Sequence, residues 1–431
     1  MRYTDALAYL DAHATYEKTG RIDSPSLERI TRLCEVMGDP QHAYPVVHVT
    51  GTNGKGSTSQ MITRLLMAHG LKVGTYTSPH LERVNERLSI DGEYIDDEAF
   101  GEVVGAIADL ELVAGVRPGY FEICTAAAFR WFADEAVDAA VIEVGLLGTW
   151  DATNVVDARV AVITNIALEH TEFAGPTKVH VAIEKAGIIK PGSSVVVGET
   201  DPELVEVFLA RPHDGACVRG EGFDIIDNEL ALGGRLVEMR TPHGRYADVF
   251  VPLHGRHQAD NAVVALAAAE AFFGGAIAED VVAEAFADVR MPGRFEVVGH
   301  QPLVILDGAH NPPGADVCAD VFFTDFDPAG KRILVMGCLR GREPAAMLEA
   351  LRADEFDQVI CCTAPSPRGI PGKDVAAAAR AMGCEQVVSA ETVEAAIDRA
   401  LRSRVADDAV LVTGSMYVVG AARPYLRRVL P

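Results

Sequence analysis

With 431 residues, 49% of them apolar, the chain has material for two or three domains and a large core, and is too apolar to be disordered. A formal charge of −24 argues against a nucleic-acid partner, whose phosphates need basic patches, and means that an anionic substrate must be drawn in by local charge. No apolar run reaches the ~18 residues of a membrane span, and Met1-Arg2-Tyr3-Thr4-Asp5 lacks a signal-peptide pattern, so a cytoplasmic location and no membrane partner are expected.

Residues 1–44 read as helical and polar, with Leu7, Tyr9 and Leu10 as an apolar face. A turn at Asp23-Ser24-Pro25 precedes a helix from Ser26 through Val36. Val46-Val47-His48-Val49-Thr50 reads as a buried strand. The turn Gly51-Thr52-Asn53-Gly54-Lys55-Gly56-Ser57 follows, and Thr58 leads into a helix that stops at Gly70. Glycines let successive N–H groups point at phosphate oxygens, Lys55 adds positive charge, and Ser57 brings a hydroxyl to a bound metal. The helix N-terminus behind the turn favours an anion as well. The spacing departs from the usual P-loop, with Gly56 between the lysine and the hydroxyl.

Strand patterns recur at 72–80, where the strand ends in a polar turn, and at 139–145, 160–166 and 195–197, alternating with helical stretches at 121–133 and 179–187. This rhythm implies a parallel α/β core with ligands at the carboxyl ends of its strands. Ser78, Glu143 and His170 fall at such ends. Residues 200–250 read as a small antiparallel lobe, and 253–273 as an alanine-rich helix. Met291-Pro292-Gly293-Arg294 marks a hinge, beyond which the βα rhythm restarts with strand cores at 304–306, 333–336, 359–362 and 410–412. The expected domains are therefore 1–290 and 291–431. The eight cysteines show no Cys-x-x-Cys spacing and read as reduced, mostly buried thiols.

Several residues carry two readings. Glu143 ends an apolar strand as a Mg²⁺ ligand or as a helix-capping charge. Lys185, by periodicity, is a surface helix lysine paired to a nearby glutamate. Asp307-Gly308-Ala309-His310-Asn311-Pro312 is a capped turn or a site-facing one, and Arg294 reaches a phosphate or forms an interdomain ion pair.

Taken together and in order, these motifs resemble the bifunctional dihydrofolate synthase/folylpolyglutamate synthase family of the Mur-ligase superfamily. The matching stretches are Val49 to Ser57, Thr77-Ser78-Pro79-His80-Leu81, Val141 to Gly145, Asp151-Ala152-Thr153-Asn154, His170-Thr171-Glu172, Glu184 to Gly192, His257-Gln258 with Asn261, Pro292 to Phe295, Asp307 to Pro312 and Gly414-Ser415-Met416-Tyr417. The resemblance implies an α/β fold: a P-loop Mur-ligase-like central domain with a parallel sheet, then a smaller Rossmann-like domain. It implies an ATP-dependent amide ligase joining L-glutamate to dihydropteroate or a reduced folate through an acyl phosphate, and a monomer. Lys185 would carry a CO₂-derived carbamate. Ser57, Ser78, Glu143, His170 and that carbamate would serve two Mg²⁺ sites, with K⁺ as a further ion. Lys55, His170 and Lys185 would be catalytic. Gly51 to Ser57, Asn261, Arg294 and Asp307 would contact ATP, and Asp23, Thr149, Trp150, Asp151, His310 and Ser415 would face the other substrates.

The chain departs from the family pattern on the substrate side. Thr149 stands where the family commonly has arginine, and Pro25 follows Ser24 where the family has Leu-Gly. Glu169 replaces the aspartate usual before the metal histidine, and Arg340-Gly341-Arg342-Glu343 replaces an Asp-Lys-Asp stretch. These changes leave open a Mur-type ligase acting on a different carboxylate. A P-loop nucleotide-binding module without ligase chemistry is the alternative of another class.

Overall fold

The computed structural model describes residues 1–20, 25–402 and 405–430. It divides into two compact units. The first comprises Met1–Tyr16, Arg21–Pro252 and Gln258–Arg290; the second comprises Glu17–Gly20, Leu253–His257 and Met291–Pro431.

The first unit is built on an eight-stranded sheet. Its strands are β1 (Val46–Thr50), β2 (Val73–Tyr76), β3 (Leu88–Ile90), β4 (Glu93–Tyr94), β5 (Ala139–Glu143), β6 (Ala158–Ile163), β7 (Ser194–Val197) and β8 (Gly215–Val218), in the order β4-β3-β2-β5-β1-β6-β7-β8. All neighbours pair in parallel except at one edge, where β3 runs antiparallel to both β2 and β4. Every residue of β1 is buried, as expected of a central parallel strand covered by helices on both faces. Register matters most here. Val49 lies opposite Glu143 and Thr50 opposite Ile163, so three adjacent strands end at one edge. The β1 strand also sits where the chain order reverses, the usual ligand crevice of such sheets.

The 200–250 region is only partly the expected lobe. Strands β9 (Asp224–Ala231), β10 (Gly234–Arg240) and β11 (Arg245–Val251) form a three-stranded antiparallel sheet, whereas β8 joins the main sheet. Glu270, on the helix His257–Phe273, accepts hydrogen bonds from Tyr246 Oη at 2.6 Å and Thr241 Oγ1 at 3.0 Å, tying the small sheet to that helix. This helix begins four residues later than the sequence pattern suggested. Residues 81–120, for which the pattern specified no element, hold the β3–β4 hairpin and the helix Asp97–Ala114.

The second unit has six strands, β12 (Glu296–His300), β13 (Leu303–Leu306), β14 (Arg332–Met336), β15 (Gln358–Cys361), β16 (Val387–Ser389) and β17 (Ala409–Thr413), ordered β12-β13-β17-β14-β15-β16. Five are parallel and β12 is an antiparallel edge. All eight cysteines are free thiols, seven of them buried. No helix among the described residues is long and apolar enough to cross a membrane.

Candidate active site

The glycine-rich turn after β1 is held rigidly from its own neighbourhood. Asn53 N–H donates to Asn165 Oδ1 at 3.0 Å, and the Asn53 carbonyl accepts from Thr164 Oγ1 at 2.7 Å and Asn165 Nδ2 at 2.9 Å. Thr52 N–H donates to the Asn165 carbonyl at 2.8 Å. The polar residues after β6 are thus a mould for the phosphate loop. Gly51 has φ +146°, and a Cβ there would collide with Thr164 Oγ1. Gly54 has φ +82°, the left-handed region that glycine enters freely, and its missing Cβ leaves room for Asn261 Oδ1. Asn261 therefore sits over the loop, oriented by its bond to Gln258 Oε1 at 3.0 Å.

Two lysines converge on one carbonyl. Lys55 Nζ donates to the carbonyls of Gly51 and Thr52, both at 3.0 Å, and Lys185 Nζ donates to the Gly51 carbonyl at 2.7 Å. Lys185 is the last residue of the helix Lys178–Lys185 and only 1% exposed. This corrects its reading as a surface lysine: Ile183, two residues earlier, takes the solvent side at 54% exposure. Lys185 Nζ also pairs with Glu169 Oε1 at 2.8 Å. Burial lowers the Lys185 pKa to about 8, with Glu169 opposing and Lys55 adding to the fall. For Glu169, burial acts upward, but the charges of Lys185, Lys55 and His170 prevail and bring it to about 2.

His170 has φ +48° and precedes the short helix Thr171–Ala174. Its Nδ1 lies 3.1 Å from Tyr16 Oη and its Nε2 3.9 Å from Glu169 Oε2. Glu143, 4% exposed, accepts from the Ser78 backbone N–H at 3.2 Å. Ser57 is buried in the first turn of the helix Lys55–Ala68. Among the described residues no group of three or more His, Cys, Asp or Glu is set to hold a metal by itself.

The β5–β6 connection differs from expectation. Asp151 was expected to face a substrate, yet it is buried. Its carboxylate accepts from Leu146 N–H at 2.7 Å, Thr153 N–H at 3.0 Å and Thr153 Oγ1 at 2.5 Å. Thr153 Oγ1 is also 2.8 Å from His48 Nε2. Since that hydroxyl donates to Asp151, His48 must donate from Nε2. Burial pushes the His48 pKa down to about 3, in keeping with a neutral ring. Thr149 likewise turns inward, donating from Oγ1 to the Glu184 carbonyl at 3.0 Å. Trp150 is 54% exposed, and Asp23 lies outside the described residues.

The remaining predicted residues belong to the second unit. Asp307 follows β13, accepting from Phe295 N–H at 2.9 Å and Ala309 N–H at 2.8 Å. Burial raises its pKa and the nearby Arg294 guanidinium opposes the rise. A Cβ on Gly308 would meet both Arg294 Nη1 and Met416 Sδ. His310 Nδ1 is 3.0 Å from the Gly308 carbonyl, and Ser415, just past β17, caps the helix Met416–Val429 through Val418 N–H at 3.2 Å. Because β13 and β17 are parallel neighbours, these residues gather at one sheet edge.

Tyr16, Thr164 and Asn165 are site residues that the sequence motifs do not include, and Glu169 figures there only as a departure from a motif. Thr164-Asn165 did carry a signal, polar residues ending a strand beside the phosphate-loop strand. For Tyr16 no local signal exists.

Residues 121–269 match the Mur ligase middle domain and residues 293–416 the Mur ligase, glutamate ligase domain. The fold is that of a Mur-type ligase. The dihydrofolate synthase/folylpolyglutamate synthase of Mycobacterium tuberculosis (strain ATCC 25618 / H37Rv) is 39% identical over 95% of this chain and 91% of that protein. A crystal structure of Mycobacterium tuberculosis folylpolyglutamate synthase complexed with ADP and AMPPCP superposes with a TM-score of 0.91 at 35% identity, covering 100% of this chain and 99% of that one. A bifunctional folylpolyglutamate synthase/dihydrofolate synthase with Mn, AMPPNP and L-glutamate bound gives 0.85 at 29% identity, covering 99% and 98%. The chain belongs to the dihydrofolate synthase/folylpolyglutamate synthase family, ATP-dependent ligases that add glutamate in folate metabolism.

Proposed function

We propose that this enzyme phosphorylates the carboxylate of dihydropteroate or of a reduced folate and couples it to L-glutamate, using a carbamate on Lys185. The single observation carrying this reading is Lys185 itself, a buried lysine with its pKa lowered to about 8 that reaches the Gly51 carbonyl of the phosphate loop beside Lys55. A pKa of about 8 leaves ~10% free amine at pH 7. The neutral Nζ adds to the carbon of CO₂. An N–C bond forms, one C=O π pair moves onto oxygen, and a proton leaves to solvent. The anionic product cannot keep the ion pair with Glu169, so the site then calls for cations.

Magnesium fits that demand. It is satisfied by one or two carboxylates, substrate phosphates and water. Glu143, the carbamate, His170 and the hydroxyls of Ser57 and Ser78 would hold two such ions. When bound, they neutralise charge on the phosphoryl oxygens. K⁺ would be a further ion.

In the reaction, a carboxylate oxygen of the folate attacks the γ-phosphorus and ADP leaves with the bridging oxygen. The glutamate amine then attacks the acyl carbon, and phosphate departs with a carboxylate oxygen. Phosphoryl transfer asks for positioning and charge more than covalent help. The loop Gly51 to Ser57 supplies backbone N–H donors, apart from those of Thr52 and Asn53 that Asn165 already takes, and Lys55 a cation, once the nucleotide draws it off its own loop. Asn261, Arg294 and Asp307 would contact the nucleotide, and Asp23, Trp150, His310 and Ser415 the substrates. The enzyme would act as a cytoplasmic monomer.

The test is coupled ADP release with dihydropteroate or tetrahydrofolate, each with and without glutamate. Glutamate-dependent release with either supports the reading. Release with neither, in enzyme shown to bind ATP, overturns it in favour of another carboxylate.

A further inference from the structure

The connection between β5 and β6 links the phosphate loop to Lys185 by a short path. At one end Thr50 Oγ1, on β1, donates to the Leu147 carbonyl at 2.7 Å. At the other, Thr149 donates twice to the Glu184 carbonyl, from N–H at 2.9 Å and from Oγ1 at 3.0 Å. Between them Gly148 lies flat on the helix end: a Cβ there would come within 2.6 Å of the Glu184 carbonyl and 2.9 Å of Lys185 Cα. From the far side, a Cβ on Gly187 would collide with Thr149 Oγ1. Asn154 closes the clamp, donating from Nδ2 to the Thr149 carbonyl at 3.1 Å and the Gly187 carbonyl at 3.2 Å.

The peptide preceding Lys185 is thus gripped by two donors from one residue. Helix ends fray because their last carbonyls lack partners. Here the final turn carries the lysine that reaches across to Gly51. A small rotation of that turn would swing a long side chain by much more at its tip.

We infer that Thr149 is a positioning residue for Lys185, holding the helix end so that Nζ meets the Gly51 carbonyl and CO₂ adds in one orientation. This deepens the carbamate reading and rests on it. Thr149 acts on Lys185 through the Glu184 carbonyl. Replacing its hydroxyl by the methyl of valine loosens the clamp without emptying the space, and the backbone N–H bond to the Glu184 carbonyl remains.

The experiment compares native enzyme with Thr149→Val and Thr149→Ser. Each holoenzyme, with Mg²⁺ and ADP, is titrated with ¹³C-bicarbonate, and the carbamate carbon is followed by NMR. Thr149→Val should need ~10-fold more bicarbonate for half-occupancy, the lower end of what losing an outer-shell partner costs. The KM for ATP should stay unchanged, and Thr149→Ser should restore the native value. A Thr149→Val half-occupancy equal to native overturns the inference even if its melting temperature drops, since that would be a purely structural role. If the native enzyme shows no carbamate, the carbamate reading fails separately. The clamp is then read on the free amine, by the rate of reductive methylation of Lys185 followed by mass spectrometry. A ~10-fold faster rate in Thr149→Val, reversed in Thr149→Ser, supports positioning; equal rates overturn it.

Discussion

Replacing Lys185 by methionine keeps roughly the volume but strips Glu169 of its nearest cation. In the native protein the pair is buried at 2.8 Å, and Glu169 is held at about 2 against an ordinary 4.5. Leaving a buried carboxylate uncompensated typically costs ~3–5 kcal/mol. The carboxyl can instead take up a proton. Holding it protonated at pH 7 against an unfolded value of 4.5 costs ~3 kcal/mol, at ~1.4 kcal/mol per pH unit, and below ~1 kcal/mol at pH 5. The penalty is therefore capped, and the cap falls as the solution is acidified.

The sign differs between the two proteins. In the native enzyme the depressed pKa contributes stability that is present above 4.5 and lost as pH falls toward 2. In Lys185→Met, burial acts on Glu169 without its strongest opponent, so its pKa rises. Its contribution is then greatest below 4.5 and lost as pH climbs through the new value. Urea titrations at pH 5, 6 and 7, without bicarbonate or divalent metal, should show the variant losing ~2 kcal/mol relative to native between pH 5 and 7. A constant offset across that range would refute the argument that Glu169 is held ionised by Lys185. The same variant should lose more than ~100-fold in turnover, above the range for losing an outer-shell partner, and should not respond to bicarbonate.

Gly54→Ala places a Cβ against Asn261 and strains a φ of +82°, at ~1–2 kcal/mol for the backbone alone; isothermal titration should show weaker ATP binding with the fold retained by circular dichroism. Ser415→Ala removes a helix cap and should cost ~1 kcal/mol in urea unfolding; if Ser415 also meets the amino acid, the KM for glutamate rises with it, and a stability loss alone would remove it from the substrate set. His48, lowered from 6.5 to about 3, contributes stability that is full above 6.5 and lost as pH falls through about 3, so its ring resonances should stay those of neutral imidazole at pH 5; a charged ring there would contradict the argument that burial keeps it neutral.

The parallel core was legible because β1, β5 and β6 are unbroken apolar runs closed by polar turns, and the phosphate loop because glycine, lysine and hydroxyl sit between such a run and a helix. What periodicity misjudged is instructive. Lys185 lies in the last turn of an amphipathic helix, where a surface lysine is the common outcome; its burial follows from Glu169 and the Gly51 carbonyl, both remote in sequence. Thr149 and Asp151 border a motif associated with substrate, but they form hydrogen bonds a few residues away or to a helix thirty-five positions on. Tyr16 meets His170 across 154 positions, a pairing that no local pattern encodes. Strand ends announce where chemistry gathers; which side chain turns toward it depends on long-range partners.

The chain has two tryptophans. Trp131 packs on Phe132 with ring centroids 5.7 Å apart, whereas Trp150 stands exposed beside Thr149. Trp131→Phe would leave a single tryptophan, one residue from the grip on Lys185, that can be excited apart from the ten tyrosines. Its emission would then report, without any added label, on changes at the contact between Thr149 and the Glu184 carbonyl.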